Sequence, residues 1–166
     1  MNSMMNMFKG MVYGNGVTAF FRIALGLLFV VSGAEKMLDP AAFGKTVGMY
    51  GLLPGELVPL AALTIPPVEI LSGGLLAAGY RIRPAALIVS AMLAVFMAAV
   101  AYNYARGLRF DCGCLGLARL GFDEQIGPAV MARDLFLLAV STMLYRAKKH
   151  TASIESFAER VRLHNL

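Results

Sequence analysis

The sequence predicts an all-α membrane protein, a four-transmembrane-helix bundle with both termini in the cytoplasm. Of its 166 residues, 58% are hydrophobic and only 15% are charged, and the mean hydropathy is +0.68. Soluble domains are about 45–50% apolar and about 25% charged, so a soluble core of this size cannot hide the excess. The composition also excludes collagen, disorder and coiled coil. We therefore expect the lipid bilayer to contact most of the surface.

Four apolar runs have the length of a membrane-spanning helix, which is ~20 residues for a hydrocarbon core of about 30 Å. Because backbone groups in lipid must be hydrogen-bonded within their own segment, each run is predicted to be a helix. The runs are Val17–Leu38, Leu57–Tyr80, Pro84–Ala105 and Pro128–Tyr145.

Prolines and glycines mark the first two runs. Pro66 and Pro67 are expected to kink the second run. The glycines suit close packing between helices. They are Gly26, Gly33, Gly73, Gly74 and Gly79. The first run has an alternative interpretation as a signal peptide, since Ser32-Gly33-Ala34 is typical of a cleavage site, but Arg22 interrupts its apolar stretch.

Positive charges predict the orientation of the bundle. One end carries eight Lys and Arg residues and the other carries four. The positive-inside rule places the richer end, with both termini, in the cytoplasm, and the loop between the third and fourth runs on the outer face of the membrane. The eight are Lys9, Arg81, Arg83, Arg146, Lys148, Lys149, Arg160 and Arg162, and the four are Lys45, Arg106, Arg109 and Arg119.

These boundaries divide the chain into three parts. Residues 1–16 form a cytoplasmic N-terminal segment, 17–146 the transmembrane domain, and 147–166 a basic amphipathic cytoplasmic tail. The tail has apolar residues at helical spacing from 154 to 161, which indicates either an interfacial helix or a frayed polar tail. The net charge of +5 follows from this topology, and we expect no nucleic-acid partner.

This outer loop contains both cysteines, Cys112 and Cys114, separated by Gly113. A disulfide between them closes a tight ring, for which Gly113 supplies the dihedral freedom. So short a loop removes little entropy from the unfolded chain, so stability is a poor reason for the bond. Strained, exposed disulfides tend to be catalytic or regulatory, which indicates a redox-active pair.

Charged residues beside the pair affect its reactivity in opposite directions. Arg106 and Arg109 favour the thiolate, whereas Asp111 opposes it. Cys112 follows a flexible approach and is predicted to be the more exposed sulfur, which exchanges with a protein partner. Cys114 is then expected to resolve the mixed disulfide.

Two other interpretations of the cysteines stay open. Two thiolates at this spacing could bind Cu(I), and the chain has 11 methionines. We expect no metal, because no obvious third ligand lies on the side of the cysteines. The methionines of residues 1–11, His150 and His164 lie on the predicted cytoplasmic side. The second interpretation is an inert structural loop.

Ionisable residues inside the runs are further candidates for function. Glu69 is expected near the membrane midplane, roughly 15 Å deep, and Arg133 about 9 Å from the outer surface. We predict an ion pair between them, or a network that includes Asp134, which either clamps helices together or lets Glu69 relay protons. Glu35 and Lys36 lie at the outer end of the first run and are expected to extend to the interface.

One disulfide cannot carry electrons across ~30 Å of membrane. The electron partner must therefore be a protein on the outer face or a lipid-soluble carrier such as a quinone.

A family resemblance covers about residues 20–145. The matching pattern is Arg22, Gly26, Phe29, Gly33, Lys36, Asp39-Pro40, Phe43, Tyr50, Leu53-Pro54, Pro67, Glu69, Gly73-Gly74, Arg106-Gly107, Cys112-Gly-Cys-Leu-Gly116 and Arg133-Asp134. With this pattern the chain resembles the DoxX-like membrane proteins, and within them the methylamine-utilisation MauE branch. The Asp-Cys-Gly-Cys-Leu-Gly segment is the most specific part of the match.

The resemblance implies partners and a cofactor class. Proteins of the MauE branch are associated with disulfide formation or thiol redox in periplasmic partners, including the methylamine dehydrogenase light chain, alongside a thioredoxin-like companion. Related DoxX-type subunits are linked to quinone reduction coupled to sulfur-compound oxidation.

The sequence thus predicts a membrane thiol-disulfide redox protein, a thiol-disulfide oxidoreductase if it is an enzyme. Its sites are Cys112, Cys114, Glu69 and Arg133, and its partner is a periplasmic thioredoxin-like or disulfide-containing protein. Quinone is the suspected electron acceptor. The alternative is a non-enzymatic membrane anchor or assembly subunit whose cysteines are structural, or a copper-binding membrane protein.

Overall fold

The computed structural model describes residues 15–113 and 125–146. Within these ranges the regular structure is helical, with one isolated β-bridge between Asp111 and Gln125. The elements are α1 (Asn15–Leu38), α2 (Pro40–Met49), a 3-10 turn (Gly55–Leu57), α3 (Val58–Ala78), α4 (Ile82–Ala105) and α5 (Pro128–Arg146).

Four of these helices, α1, α3, α4 and α5, are long and apolar enough to cross a membrane. Their ends lie within two residues of the predicted runs, so the predicted fold class is confirmed. The chain is a multi-pass membrane protein. The basic tail lies outside the described residues, and its helix stays a prediction, as does the orientation of the bundle.

The short helix α2 was not predicted. Its first turn begins at Pro40, and the Asp39 Oδ1 accepts the N–H of Ala42 at 2.9 Å. A side-chain cap followed by proline at the first helical position favours a helix start. Phe43 is buried, and Gly44 lies close to Ala62 of α3. Helix α2 therefore packs on the bundle as part of the fold.

Glycines bring the backbones of α1 and α3 into contact. A β-carbon on Gly26 would lie 2.6 Å from the Gly73 carbonyl oxygen, and one on Gly33 would lie 2.7 Å from the Pro66 oxygen. The predicted packing role is confirmed for Gly26, Gly33 and Gly73. Gly74 faces open space. Gly79 instead ends α3 in the left-handed conformation, with φ of 74°.

Two apolar clusters fill the bundle. One joins α1, α3, α4 and α5 around Leu76 and Val89, and Ser141 adds a polar contact there. The Ser90 hydroxyl donates to the Ser141 Oγ at 2.8 Å, and Ser141 donates to the Ala86 carbonyl at 3.0 Å. The other cluster surrounds Tyr50 and Cys112.

Candidate functional site

A buried ion pair joins α1 to α3. The Lys36 Nζ donates to both carboxylate oxygens of Glu69, at 2.6 and 2.7 Å, and to the Ser32 Oγ at 3.0 Å. The Ser32 hydroxyl donates in turn to Glu69 Oε2 at 3.4 Å. The side chains of Lys36 and Glu69 are 4% and 1% exposed. In lipid such charges persist only when they are paired, so this contact satisfies both.

The predicted pair between Glu69 and Arg133 is wrong, and so is the interfacial position of Lys36. Side chains on a helix tilt toward its N-terminus. Lys36 lies near the C-terminal end of α1, so it extends back along Ser32 into the bundle instead of out to the interface. Arg133 pairs with its neighbour Asp134: its Nε donates to Asp134 Oδ1 at 3.0 Å, and its Nη2 lies 2.9 Å from the same oxygen. The predicted network is thus two separate ion pairs.

Two phenyl rings enclose the Lys36 ammonium. Its Nζ lies 5.2 Å from the ring centroid of Phe43 in α2 and 5.4 Å from that of Phe96 in α4. Cations within about 6 Å of an aromatic face are attracted to it. The contacts of Lys36 with Phe43 and Phe96 were not predicted from the sequence. The available signal was the spacing of Ser32 and Lys36, which places them on one face of α1.

Cys112 is 1% exposed and lies in the second of the two apolar clusters, the one around Tyr50. Phe96 packs against this cluster and also faces Lys36, so one ring contacts both features. Cys112 is thus buried, among Tyr50 and residues of α4 and α5, whereas the prediction that it is the more exposed of the two sulfurs is not tested. Cys114 lies outside the described residues, so the pair of cysteines stays a prediction. The cluster consists of Tyr50, Ala99, Val100, Cys112, Ile126 and Val130.

Tyr50, the residue that ends α2, holds the Cys112 backbone. Its hydroxyl donates to the Cys112 carbonyl at 3.0 Å. The Asn103 Nδ2 donates to the Tyr50 carbonyl at 3.2 Å, which fixes Tyr50 to α4. The Tyr50 ring meets Phe110 edge to face, with centroids 5.1 Å apart. Cys112 is therefore held from two helices.

Gly113 has the backbone conformation that its position between the cysteines predicted. Its φ is 59°, in the left-handed region that favours glycine. A β-carbon here would also lie 3.1 Å from Thr46 Cγ2 of α2. Both the turn and the proximity of α2 therefore require glycine.

The charged residues of the loop lie around this site. Arg106 stacks on Tyr102, with 5.4 Å from its guanidinium carbon to the ring centroid. Arg109 is exposed, and Asp111 forms the β-bridge to Gln125. This bridge joins the two described ends of the loop. The predicted influence of these residues on the thiols is not tested by these contacts.

A groove of about 540 Å³ lies between α2 and the start of α3. Lys45 is the charged residue in its lining, which is otherwise apolar or glycine. The lining consists of Pro40, Ala41, Gly44, Lys45, Val58, Pro59, Ala62 and Leu63. Its volume is within the range of small-molecule sites.

Comparison with known proteins gives one family. The model of the family described as methylamine utilisation protein MauE matches residues 15–146. The methylamine utilization protein MauE of Paracoccus denitrificans is 34% identical over 122 residues, which cover 72% of this chain and 63% of that protein. The protein of the same name from Methylophilus methylotrophus is 29% identical over 139 residues, 80% of this chain and 73% of that protein. The matched region thus spans less than two thirds of the Paracoccus relative. No solved structure matches the chain.

Proposed function

Because this chain belongs to the methylamine utilisation protein MauE family, we propose that it serves methylamine utilisation as a membrane thiol-disulfide redox protein. Cys112 and Cys114 are the redox pair in this proposal. The observation that carries it is the packing of the Cys112-Gly113 turn into the bundle, with Gly113 in the left-handed conformation. Phe96 packs against the apolar cluster that contains Cys112 and also faces the buried Lys36 ammonium. The wider DoxX-like relationship is part of the same proposal.

The proposed location is the bacterial inner membrane, with the cysteine loop in the periplasm. The four predicted outer positive charges against eight inner ones support this orientation. The partner is then a periplasmic thioredoxin-like protein or a protein that acquires disulfides.

The proposed reaction is thiol-disulfide exchange. A partner thiolate attacks one sulfur of the Cys112–Cys114 disulfide, forms a mixed disulfide and displaces the other sulfur as a thiolate. A second partner thiolate then attacks the mixed disulfide. The partner gains a disulfide, and the pair becomes a dithiol that has taken up two electrons and two protons. The reverse sequence reduces a partner disulfide.

The burial of Cys112 supports a different order of attack from the one predicted. Exchange requires access to the attacked sulfur. At 1% exposure, Cys112 offers a partner no such access in this conformation. We therefore assign the mixed disulfide to Cys114 and the buried, second position to Cys112.

Glu69 is the group that we propose to exchange protons during the reaction of the pair. It is the buried carboxylate paired with Lys36, and Phe96 packs between that ammonium and the Cys112 cluster. Arg133 contacts Asp134 instead of Glu69, so it has no proton role in this proposal.

Reoxidation of the dithiol needs a two-electron acceptor, and we propose a membrane quinone. Bound quinone would supply the acceptor for two electrons and two protons. The groove beside α2 fits an apolar ring, with Lys45 as a hydrogen-bond donor.

Single-cysteine variants test the proposal. In membranes that contain a candidate partner, Cys112→Ser should accumulate a mixed disulfide through Cys114, visible on non-reducing gels and removed by reductant. Cys114→Ser should accumulate little. The proposal of redox exchange is wrong if neither variant traps a partner and both retain full function.

The burial of Cys112 also supports a second candidate, an anchor or assembly subunit with structural cysteines. Titration of thiols separates the two functions. A pair that cycles at a potential accessible to thioredoxins supports redox work, whereas a pair that stays oxidised supports assembly.

A further inference from the structure

We propose that Tyr50 is a positioning residue that holds the Cys112 segment beneath α2, and that α2 must move before Cys112 can react. This inference rests on the proposed function for its biological meaning. Its physical content is the accessibility of one sulfur, which can be measured without any partner.

Neighbouring residues cover Cys112. The side chain is 1% exposed, and the covering Tyr50 is itself only 6% exposed. The Tyr50 hydroxyl donates to the Cys112 carbonyl, and Thr46 of α2 lies against Gly113. These contacts come from α2 and the residue that follows it, so α2 forms one side of the cover, and α4 and α5 also contribute residues to the cluster around Cys112.

The residues that cover Cys112 are also attached to α4 and to the Lys36 ammonium. Asn103 of α4 donates to the Tyr50 carbonyl, so Tyr50 joins the cysteine segment to a membrane-spanning helix. At the other end of α2, the Phe43 ring lies 5.2 Å from the Lys36 Nζ. Helix α2 is thus attached at one end to the ion pair and at the other to Cys112.

The residues that flank α2 allow this helix to move as a unit. Non-helical residues flank it on both sides: Asp39, with φ of −141° and ψ of 76°, and Gly51, with φ of 62°. Rotation at two such positions can shift a ten-residue helix without unfolding it. Opening then breaks the contacts at Tyr50 and Phe43 together with the packing of α2 on α3 near Gly44 and Ala62.

The test is the alkylation rate of Cys112 by N-ethylmaleimide in full-length Cys114→Ser protein. Tyr50→Phe removes the hydroxyl that holds Cys112 and keeps the ring. We expect alkylation about fivefold faster, which corresponds to about 1 kcal/mol at 1.4 kcal/mol per tenfold change. Tyr104→Phe is the matched control. Tyr104 is exposed and lies next to Asn103, in the last turn of α4.

Two further measurements separate positioning from general destabilisation. The melting temperature of Tyr50→Phe should stay near that of the parent, and the pH at half-maximal alkylation should not move, since only access changes. Asn103→Leu should also accelerate alkylation, and it provides a second variant if Tyr50→Phe does not fold.

Equal alkylation rates in Tyr50→Phe and Tyr104→Phe would overturn the inference. The proposed redox function fails by a different observation, the absence of a mixed disulfide. The two failures are therefore distinguishable.

Discussion

The Nζ of Lys36 lies within 2.7 Å of both carboxylate oxygens of Glu69, which joins the C-terminal end of α1 to the middle of α3. Removing one member of a buried ion pair leaves the other charge uncompensated, at about 3–5 kcal/mol. Replacing both members by neutral side chains of similar size is often close to neutral. The pair can therefore be tested by whether its members lose their effect together.

A double-mutant cycle tests this contact. Lys36→Met and Glu69→Gln should each lower the free energy of unfolding by about 3–5 kcal/mol, and the double variant should lose much less than the sum. Denaturant titration in detergent micelles measures these values.

The control cycle pairs Glu69→Gln with Arg133→Ala. Since Arg133 belongs to a separate pair with Asp134, the two effects should add within about 0.5 kcal/mol. The opposite result, in which Glu69 and Arg133 are coupled while the effects of Lys36 and Glu69 add, would support the Glu69–Arg133 pair that the sequence predicted.

The proton role of Glu69 needs a variant without a stranded charge. Glu69→Gln alone leaves the Lys36 ammonium unpaired, so the double variant Lys36→Met with Glu69→Gln is the cleaner test. Positioned acid-base groups contribute about 10²–10⁴-fold, so we expect thiol-disulfide exchange with a dithiol substrate to slow at least about 100-fold. An exchange rate equal to that of the parent would limit this pair to stability.

The glycine contacts between α1 and α3 predict opposite outcomes for adjacent residues. Gly73→Ala places a methyl group 2.6 Å from the Gly26 carbonyl oxygen, so we expect a loss of about 1–3 kcal/mol. Gly74→Ala meets no atom within 4 Å and should be neutral or slightly stabilising. Thermal unfolding in detergent measures both. Similar melting temperatures for the two variants would contradict the packing.

The proposed orientation predicts which ends of the bundle a membrane-impermeant maleimide can reach. Glu56→Cys and Tyr80→Cys, each in a Cys112→Ser and Cys114→Ser background, place exposed thiols at opposite ends of α3. Intact cells should label the first variant, and the second should label only after the inner membrane is opened. The reverse pattern would place the cysteine loop in the cytoplasm.

The sequence predicted the membrane helices well because span length and apolar composition are local properties. Val17–Leu38, for example, differs from α1 only at its start. Helix α2 was missed because it is too short to span the membrane and lies in a connection. The Asp39-Pro40 cap was visible in the sequence and could have predicted it.

The candidate site depends on tertiary contacts that periodicity does not contain. Glu69 was recognised as a buried charge, but its partner is set by the direction in which Lys36 leaves α1. The burial of Cys112 depends on Tyr50, which follows α2, and on residues of α4 and α5 that are distant in the sequence. The positive φ of Gly113 agrees with the backbone freedom expected of a glycine in a tight turn, whereas the disulfide that this turn would serve stays a prediction.

The different depths of Lys36 and Glu69 also bear on biosynthesis. A newly inserted α1 can leave the Lys36 ammonium among the lipid headgroups, because this residue lies near the helix end and has a long side chain. Glu69 lies near the middle of α3 and has no such route. A carboxyl group without a partner in apolar surroundings takes up a proton instead of staying charged. We therefore expect Glu69 to enter the bilayer as the neutral acid and to become charged when α1 and α3 pack together.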